Sequence, residues 1–216
     1  MTDSTVDFLR TTRSSYDAIA KEYAERFPSG LPHPLDRSLI SAFAELVTEN
    51  GPAPVADLGS GPGFVTALLD SLGVPVFGVD LSPAMVTLAR EAHPHLRFHV
   101  GSMTALDLPD ATLGGIMALY STIHVPEESL PRAFAEFHRT LRPGAPVLLA
   151  FQTGDADHMH LAERFGHEID LDYWMRSPAA VAARLTEAGL SLVASMVREP
   201  QGEEARARGF VLARKD

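Results

Sequence analysis

The segment Val55-Ala56-Asp57-Leu58 is followed by glycines at three alternate positions, Gly59, Gly61 and Gly63. One helix-length stretch and one further apolar run later comes Val79-Asp80. This pattern narrows the possible folds more than any other part of the chain. It predicts a buried strand, a tight turn of bare backbone, a helix, and a second strand closed by an acid. Side-chain-free positions let a ligand approach the main chain, and the helix that follows offers free N–H groups. A carboxylate at the end of the neighbouring strand suits the ribose of an adenosine-type cofactor. A lone glycine would indicate a turn and nothing more; three alternate glycines between Asp57 and Asp80 indicate a binding loop.

The spacing separates cofactors. Dinucleotide folds use G-x-G-x-x-G, whose third glycine packs the helix on the strand. Counted from Gly59, that place is held by Phe64, and the third glycine comes one residue early, at Gly63. A nicotinamide cofactor is therefore disfavoured. A G-x-x-x-x-G-K-[ST] phosphate loop does not occur.

Around this loop, apolar runs alternate with helical periodicity. Strands are predicted at Val55–Leu58, Val74–Val79, Leu96–Val100, Leu113–Tyr120 and Pro146–Phe151. Helices are predicted at Phe64–Leu72, Pro83–Ala92 (capped by Ser82) and Leu130–Leu141. Such alternation means an α/β fold, a Rossmann-like, mostly parallel sheet with helices on both faces. Leu190–Val197 and Gly209–Arg214 read as an antiparallel C-terminal hairpin, which brings the sheet to seven strands, and Pro178–Ala188 reads as a helix. Residues 1–50 read as a helical N-terminal cap, broken by turn residues from Pro28 to Pro34. Residues 152–177 read as a polar, histidine-rich insertion that shapes a pocket. The whole chain, 1–216, is expected to form a single domain.

Bulk properties exclude several function classes. The 18 basic and 28 acidic side chains give a net charge of −10, which disfavours a phosphate backbone as substrate. There is no cysteine, so disulfides, thiolate metal sites and cysteine nucleophiles are excluded. The N-terminus lacks the basic flank and apolar stretch of a signal peptide, and no run reaches membrane-spanning length. A cytoplasmic enzyme is the expectation. Lysine occurs only at Lys21 and Lys215, against many arginines, alanines and prolines. This composition points to a GC-rich bacterial genome.

The motifs together resemble the class I S-adenosylmethionine-dependent methyltransferases, whose first motif has the form acid-x-G-x-G-x-G. Asp57-Leu58-Gly59-Ser60-Gly61-Pro62-Gly63 matches it throughout. Val79-Asp80-Leu81-Ser82 followed by Met85 resembles the second motif, where the family's acid binds both ribose hydroxyls. Gly101-Ser102-Met103 resembles the segment flanking the adenine, and Phe137-His138-Arg139-Thr140-Leu141-Arg142-Pro143-Gly144 the approach to the fifth strand. The resemblance extends from Tyr16 to Phe151. It implies that S-adenosyl-L-methionine is held by Asp57, Gly59, Gly61, Gly63, Asp80, Leu81, Ser102 and Met103. The chain departs from the family in having Ser102 where an Asp is common, and Gly114-Gly115 where the fourth strand often begins with an acid.

The acceptor is expected beyond the carboxyl ends of the strands, where strand order reverses. Tyr120-Ser121-Thr122-Ile123-His124 leaves the fourth strand there, and the resemblance puts Tyr120 beside the cofactor's methionine part. The N/D-P-P-Y/F run common in nucleic-acid amine methylators is absent. Since a sulfonium methyl is already electrophilic, in-line positioning can supply up to ~7–11 kcal/mol, and a base is needed only if the acceptor must lose a proton. His124 is the candidate base; the competing reading is a histidine that shapes the loop through backbone hydrogen bonds. Tyr16 and Tyr23 fall on one helix face, which suits either packing or closure over the cofactor's amino-acid end, with Tyr16 the preferred contact. Tyr173 and Trp174 either wall an acceptor pocket or anchor the insertion. Asp155, Asp157, His158, His160 and His167 are read as water-facing, and a metal site is rejected. The expected activity is methyl transfer to oxygen, nitrogen or carbon of a small molecule, with no nucleic acid or membrane partner. The alternatives are an RNA- or protein-methylating enzyme, or a non-catalytic module that binds the cofactor.

Overall fold

A strand covered on both faces must be apolar at consecutive positions, and all four residues of β1 (Val55–Leu58) are buried. The computed structural model describes residues 4–27, 33–154, 158–202 and 204–216. Residues 28–32 of the expected turn-rich break lie outside the described residues, as do Asp155 and Asp157. Along the described chain, β1 is preceded by α1 (Ser4–Arg26) and α2 (Pro34–Glu49). It is followed by α3 (Phe64–Ser71), β2 (Val76–Asp80), α4 (Pro83–Ala92), β3 (Arg97–Val100) and β4 (Gly115–Leu119). A single 3-10 turn (Thr122–His124) then leads to α5 (Leu130–Thr140) and β5 (Pro146–Thr153). The remainder is β6 (His158–Arg164), β7 (His167–Trp174), α6 (Pro178–Glu187), β8 (Leu190–Arg198) and β9 (Ala207–Lys215).

Among the described residues the main sheet has seven strands in the order β3-β2-β1-β4-β5-β9-β8. β1 pairs in parallel with both β2 and β4, with Val55 opposite Val76 on one side and Gly115 on the other. Strand order therefore reverses between β1 and β4, and a crevice opens above their carboxyl ends. β9 joins β5 antiparallel, with Leu149 opposite Val211, and β8 closes the edge as the sequence leads one to expect.

Successive strand residues point to opposite faces, and the core divides accordingly. Met117 and Leu148 join Ile40, Phe43 and Val47 of α2 on one face. Ile116, Ala118, Val147 and Leu149 join Phe134 and Phe137 of α5 and Leu185 of α6 on the other. Phe137 is fully buried, and its truncation to alanine would cost about 3–5 kcal/mol. The departure at Gly114-Gly115 also has a packing reason. A Cβ at Gly115 would come within 2.8 Å of Phe43 Cζ, and one at Gly114 within 2.7 Å of the Ala53 carbonyl.

The insertion expected at 152–177 is built, over most of its described residues, of strands. β5 continues through Gln152 and Thr153, and β6 and β7 pair as a separate antiparallel hairpin. The hairpin reverses at Phe165-Gly166, whose φ values of 54° and 84° suit a two-residue turn in a right-twisted ribbon. Its outward positions are polar, while Leu171 and Tyr173 face inward and are buried. α1 lies against this hairpin and against α4. Ser15 Oγ donates to the Asp170 carbonyl at 3.1 Å and accepts from Asp170 N at 2.9 Å. Asp17 Oδ1 accepts from Ser82 Oγ and from Ala84 N, anchoring α1 over the amino end of α4. Ser82 also caps α4 by accepting from Met85 N at 3.1 Å, the role expected of it.

Candidate functional site

The glycine loop takes the left-handed conformations that its residue types permit, with φ of 78°, 52° and 88° at Gly59, Gly61 and Gly63. The three positions do different work. A Cβ on Gly59 would run into the Ser121 side chain, which donates to the Leu58 carbonyl at 2.7 Å and ties β4 to β1. A Cβ on Gly61 would meet nothing within 4 Å. One on Gly63 would come within 2.7 Å of Phe98 Cζ. Gly61 thus presents open backbone, while Gly59 and Gly63 permit close packing behind it.

Asp80, half-buried at the end of β2, holds the loop directly. Its Oδ2 accepts from Gly61 N and its Oδ1 from Ser82 N, each at 2.8 Å. Burial raises its carboxyl from the ordinary range, and these two donors oppose the rise. Each oxygen keeps acceptor capacity for a further donor.

Above the loop lies a cavity of about 440 Å³. Of the residues singled out from sequence, Tyr16, Gly59, Gly61, Asp80, Leu81, Ser102, Met103, Tyr120 and His124 line it. Asp57 and Gly63 are not brought to its wall. Asp57 is 2% exposed and accepts from Thr66 Oγ1 at 2.6 Å, so its side chain points under α3. Burial pushes its carboxyl up to about 7 despite that hydrogen bond. Ser102 Oγ is 2.8 Å from Thr104 Oγ1.

One wall is built around His124, which the 3-10 turn carries beneath α1. Its Nδ1 is 2.9 Å from the Asp172 carbonyl, so that nitrogen bears the proton and donates. Nε2 is left to accept the Tyr16 hydroxyl at 2.7 Å. Burial lowers His124 to about 4 and drives Tyr16 well above the usual phenol range, so both groups are neutral near pH 7. The Tyr173 ring meets His124 edge-on at 4.7 Å, and Tyr23 meets Tyr16 edge-on at 6.0 Å. Tyr173 is a cavity residue; Trp174 instead packs on His158 at 4.3 Å.

Another part of the cavity wall was not foreseen. Arg198 and Asp36, both nearly inaccessible, pair at 3.2 Å, and Arg198 forks onto Glu204 at 2.8 and 2.9 Å. Arg198 holds the Glu204 carboxyl down at about 2. Arg208 lies 3.5 Å from Glu204, and its guanidinium is 5.7 Å from the Tyr120 ring centroid. Tyr120 itself has φ of 55°, a strained value for a bulky residue, fixed by its N–H on the Ala150 carbonyl at 2.7 Å. The sequence separation of 162 between Asp36 and Arg198 leaves no local signal of this network. His158 and His160 share Asp172 Oδ1 at 2.7 and 3.2 Å, and among the described residues no group of three His, Cys, Asp or Glu is placed to hold a metal.

A family profile described as a methyltransferase domain matches residues 55–144. N-demethylindolmycin N-methyltransferase from Streptomyces griseus is 32% identical over 181 residues, covering 82% of this chain and 71% of that protein. The chain belongs to the class I S-adenosylmethionine-dependent methyltransferases. Demethylmenaquinone methyltransferase from Chlorobaculum parvum is 32% identical to this methyltransferase over 91 residues, which span 42% of the chain and 37% of that relative's length. Among solved structures, the DhpI–SAH complex superposes with a TM-score of 0.73 at 22% identity, covering 98% of both chains. That likeness establishes a common fold.

Proposed function

We propose that this methyltransferase binds S-adenosyl-L-methionine along the glycine loop and transfers its methyl group to a small-molecule acceptor in the same cavity. The observation that carries the reading is that one cavity is bounded by the bare backbone at Gly61, the Asp80 carboxylate and the Tyr16–His124 pair. The residues fit the donor: Gly61 leaves room where any Cβ would intrude, and Asp80 retains acceptor capacity for two ribose hydroxyls. Leu81, Ser102 and Met103 would flank the adenine, and Tyr120 the amino-acid end. Asp57 and Gly63 support the loop from behind. When bound, the donor supplies an electrophilic methyl group on its sulfonium.

The chain's own contribution is to position the acceptor, exclude water and receive a proton where the acceptor has one to lose. Tyr16 directs its hydroxyl at His124 Nε2, so an acceptor proton taken by the Tyr16 oxygen passes on as the Tyr16 proton moves to the imidazole. The Asp172 carbonyl keeps Nδ1–H in place and leaves Nε2 as the receiving nitrogen. In this reading Tyr16 faces the acceptor and His124 acts through it. α1, anchored through Asp17 and Ser15, covers one side of the site and limits the access of water to it. The bacterial sources of the relatives and the arginine-rich composition support action in a bacterial cytoplasm.

Incubation with methyl-labelled S-adenosylmethionine and extracted bacterial metabolites tests the reading, with Asp80→Ala as control. Label is expected in the small-molecule fraction and is expected to vanish with the control. Label confined to RNA or protein would overturn the choice of acceptor, and cofactor binding without transfer to any fraction would overturn catalysis.

A further inference from the structure

Among the described residues, the charges that line the cavity are satisfied within the fold, with one exception. Asp80 is held by two backbone N–H groups, and Asp36, Glu204 and Arg208 belong to the network around Arg198. Arg164, the last residue of β6, also lines the cavity, yet among the described residues it pairs with no carboxylate. Its guanidinium donates from Nη1 to the Tyr173 hydroxyl at 2.6 Å. Its guanidinium carbon lies 4.9 Å from the Phe165 ring centroid and 5.8 Å from that of Tyr23. A guanidinium has five N–H donors in one plane. Stacking on aromatic rings uses its faces and leaves the donor edge available. A half-buried cation on the wall of a cavity, oriented by three aromatic residues and without a counter-charge among the described residues, is arranged to receive an anion.

We propose that Arg164 is the anion-binding residue of the acceptor site, and that the acceptor is a small molecule bearing a carboxylate or phosphoryl group. This rests on the methyl-transfer reading above and adds the acceptor's chemical class. The geometry separates binding from reaction. Arg164 holds Tyr173, Tyr173 touches His124, and His124 meets Tyr16. The anionic group therefore docks at the hairpin end of this chain of rings, and the methyl-accepting atom lies toward Tyr16. A bound anion has a second consequence. The positive charge of Arg164 opposes protonation of His124, and neutralising it makes the imidazole a better proton acceptor only when the acceptor is in place.

The test is calorimetric titration of benzoate and phenylphosphonate, with benzamide as the neutral counterpart, into protein saturated with S-adenosylhomocysteine. At least one of the two anions is expected to bind, and benzamide to bind about tenfold more weakly or worse. Arg164→Gln is expected to lose about tenfold or more for the anion, Arg164→Lys to recover part of the loss, and Tyr173→Phe to retain most of the affinity. Which anion binds tighter distinguishes the carboxylate from the phosphoryl class. Equal binding of benzamide, anion affinity unchanged in Arg164→Gln, equal losses in Arg164→Lys and Arg164→Gln, or binding of neither anion would overturn the proposal. Melting temperatures of the variants separate lost binding from lost folding. Failure of S-adenosylhomocysteine itself to bind contradicts the cofactor reading instead, so the two failures are distinguishable.

Discussion

Tyr16 and His124 are 108 residues apart in sequence and share a 2.7 Å hydrogen bond across the cavity wall, with the phenol donating to Nε2. If they act as a unit on the acceptor proton, His124→Ala and Tyr16→Phe should each lower kcat by about 10–100-fold. The double variant should fall little further than the worse single one. His124→Ala should leave affinity for S-adenosylhomocysteine unchanged. Additive losses would separate the two residues, and retained turnover in His124→Ala would reduce it to shaping the loop.

The same burial sets a pH dependence. An exposed imidazole would lose its acceptor form as pH falls through about 6.5. Here burial lowers His124 to about 4, with Arg164 adding to the effect and the Asp172 carbonyl opposing it. The neutral ring thus persists from about pH 8 down to about pH 6, and kcat should be flat over that span. A single-proton fall centred near 6.5, absent in His124→Ala, would contradict this assignment.

Asp80 serves both the loop and the proposed ribose site, so its removal should affect binding out of proportion to folding. Asp80→Ala is expected to weaken S-adenosylhomocysteine binding by about 30-fold or more, since a charged acceptor to two hydroxyls is lost. Unchanged calorimetric affinity would remove Asp80 from the cofactor site.

The glycines make a paired prediction. Gly61→Ala faces open space and should cost about 1–2 kcal/mol of stability from its φ alone, yet abolish tight cofactor binding. Gly63→Ala adds a clash with the Phe98 ring to the same backbone cost and should be the less stable of the two. Urea unfolding together with S-adenosylhomocysteine titration checks both. The reverse ranking would mean that the loop faces the other way.

The glycine loop's shape was legible in the sequence because the conformational freedom that makes it is local. Alternate glycines make the turn where they stand and Ser82 caps the helix it begins, while Asp80 reaches Gly61 only 19 residues away. Gly114-Gly115 read as a departure from the family, and the reason is Phe43 and Ala53, which only the fold brings near. Asp57 fits a motif but not the cavity, because Thr66 on the next helix draws its carboxyl inward. The β6–β7 hairpin escaped notice since its outward residues are polar and its packing partner is α1, 155 residues away at the Ser15–Asp170 contact. Arg164 went unseen with it. Tyr16 and His124 were each singled out, but their pairing depends on that same docking of α1.

Asp57 offers a test of burial itself. Its folded-state pKa, raised to about 7, lies above the unfolded value, so its contribution to stability is present at low pH and is lost as pH rises toward and through 7. Asp57→Asn keeps an acceptor for Thr66 and cannot ionise. Relative to wild type it should therefore gain about 1–3 kcal/mol between about pH 5 and about pH 8, measured by urea unfolding. A stability difference independent of pH would show that Asp57 remains ionised in the fold.

The central claim is that an adenosylated sulfonium compound rests on the main chain at Gly61 under the grip of Asp80. Isothermal titration of the wild-type protein with S-adenosylhomocysteine tests it most directly. Saturable one-to-one binding that also raises the melting temperature is the expected result. Neither heat nor a thermal shift, from a protein shown to be folded, would contradict the account at its root.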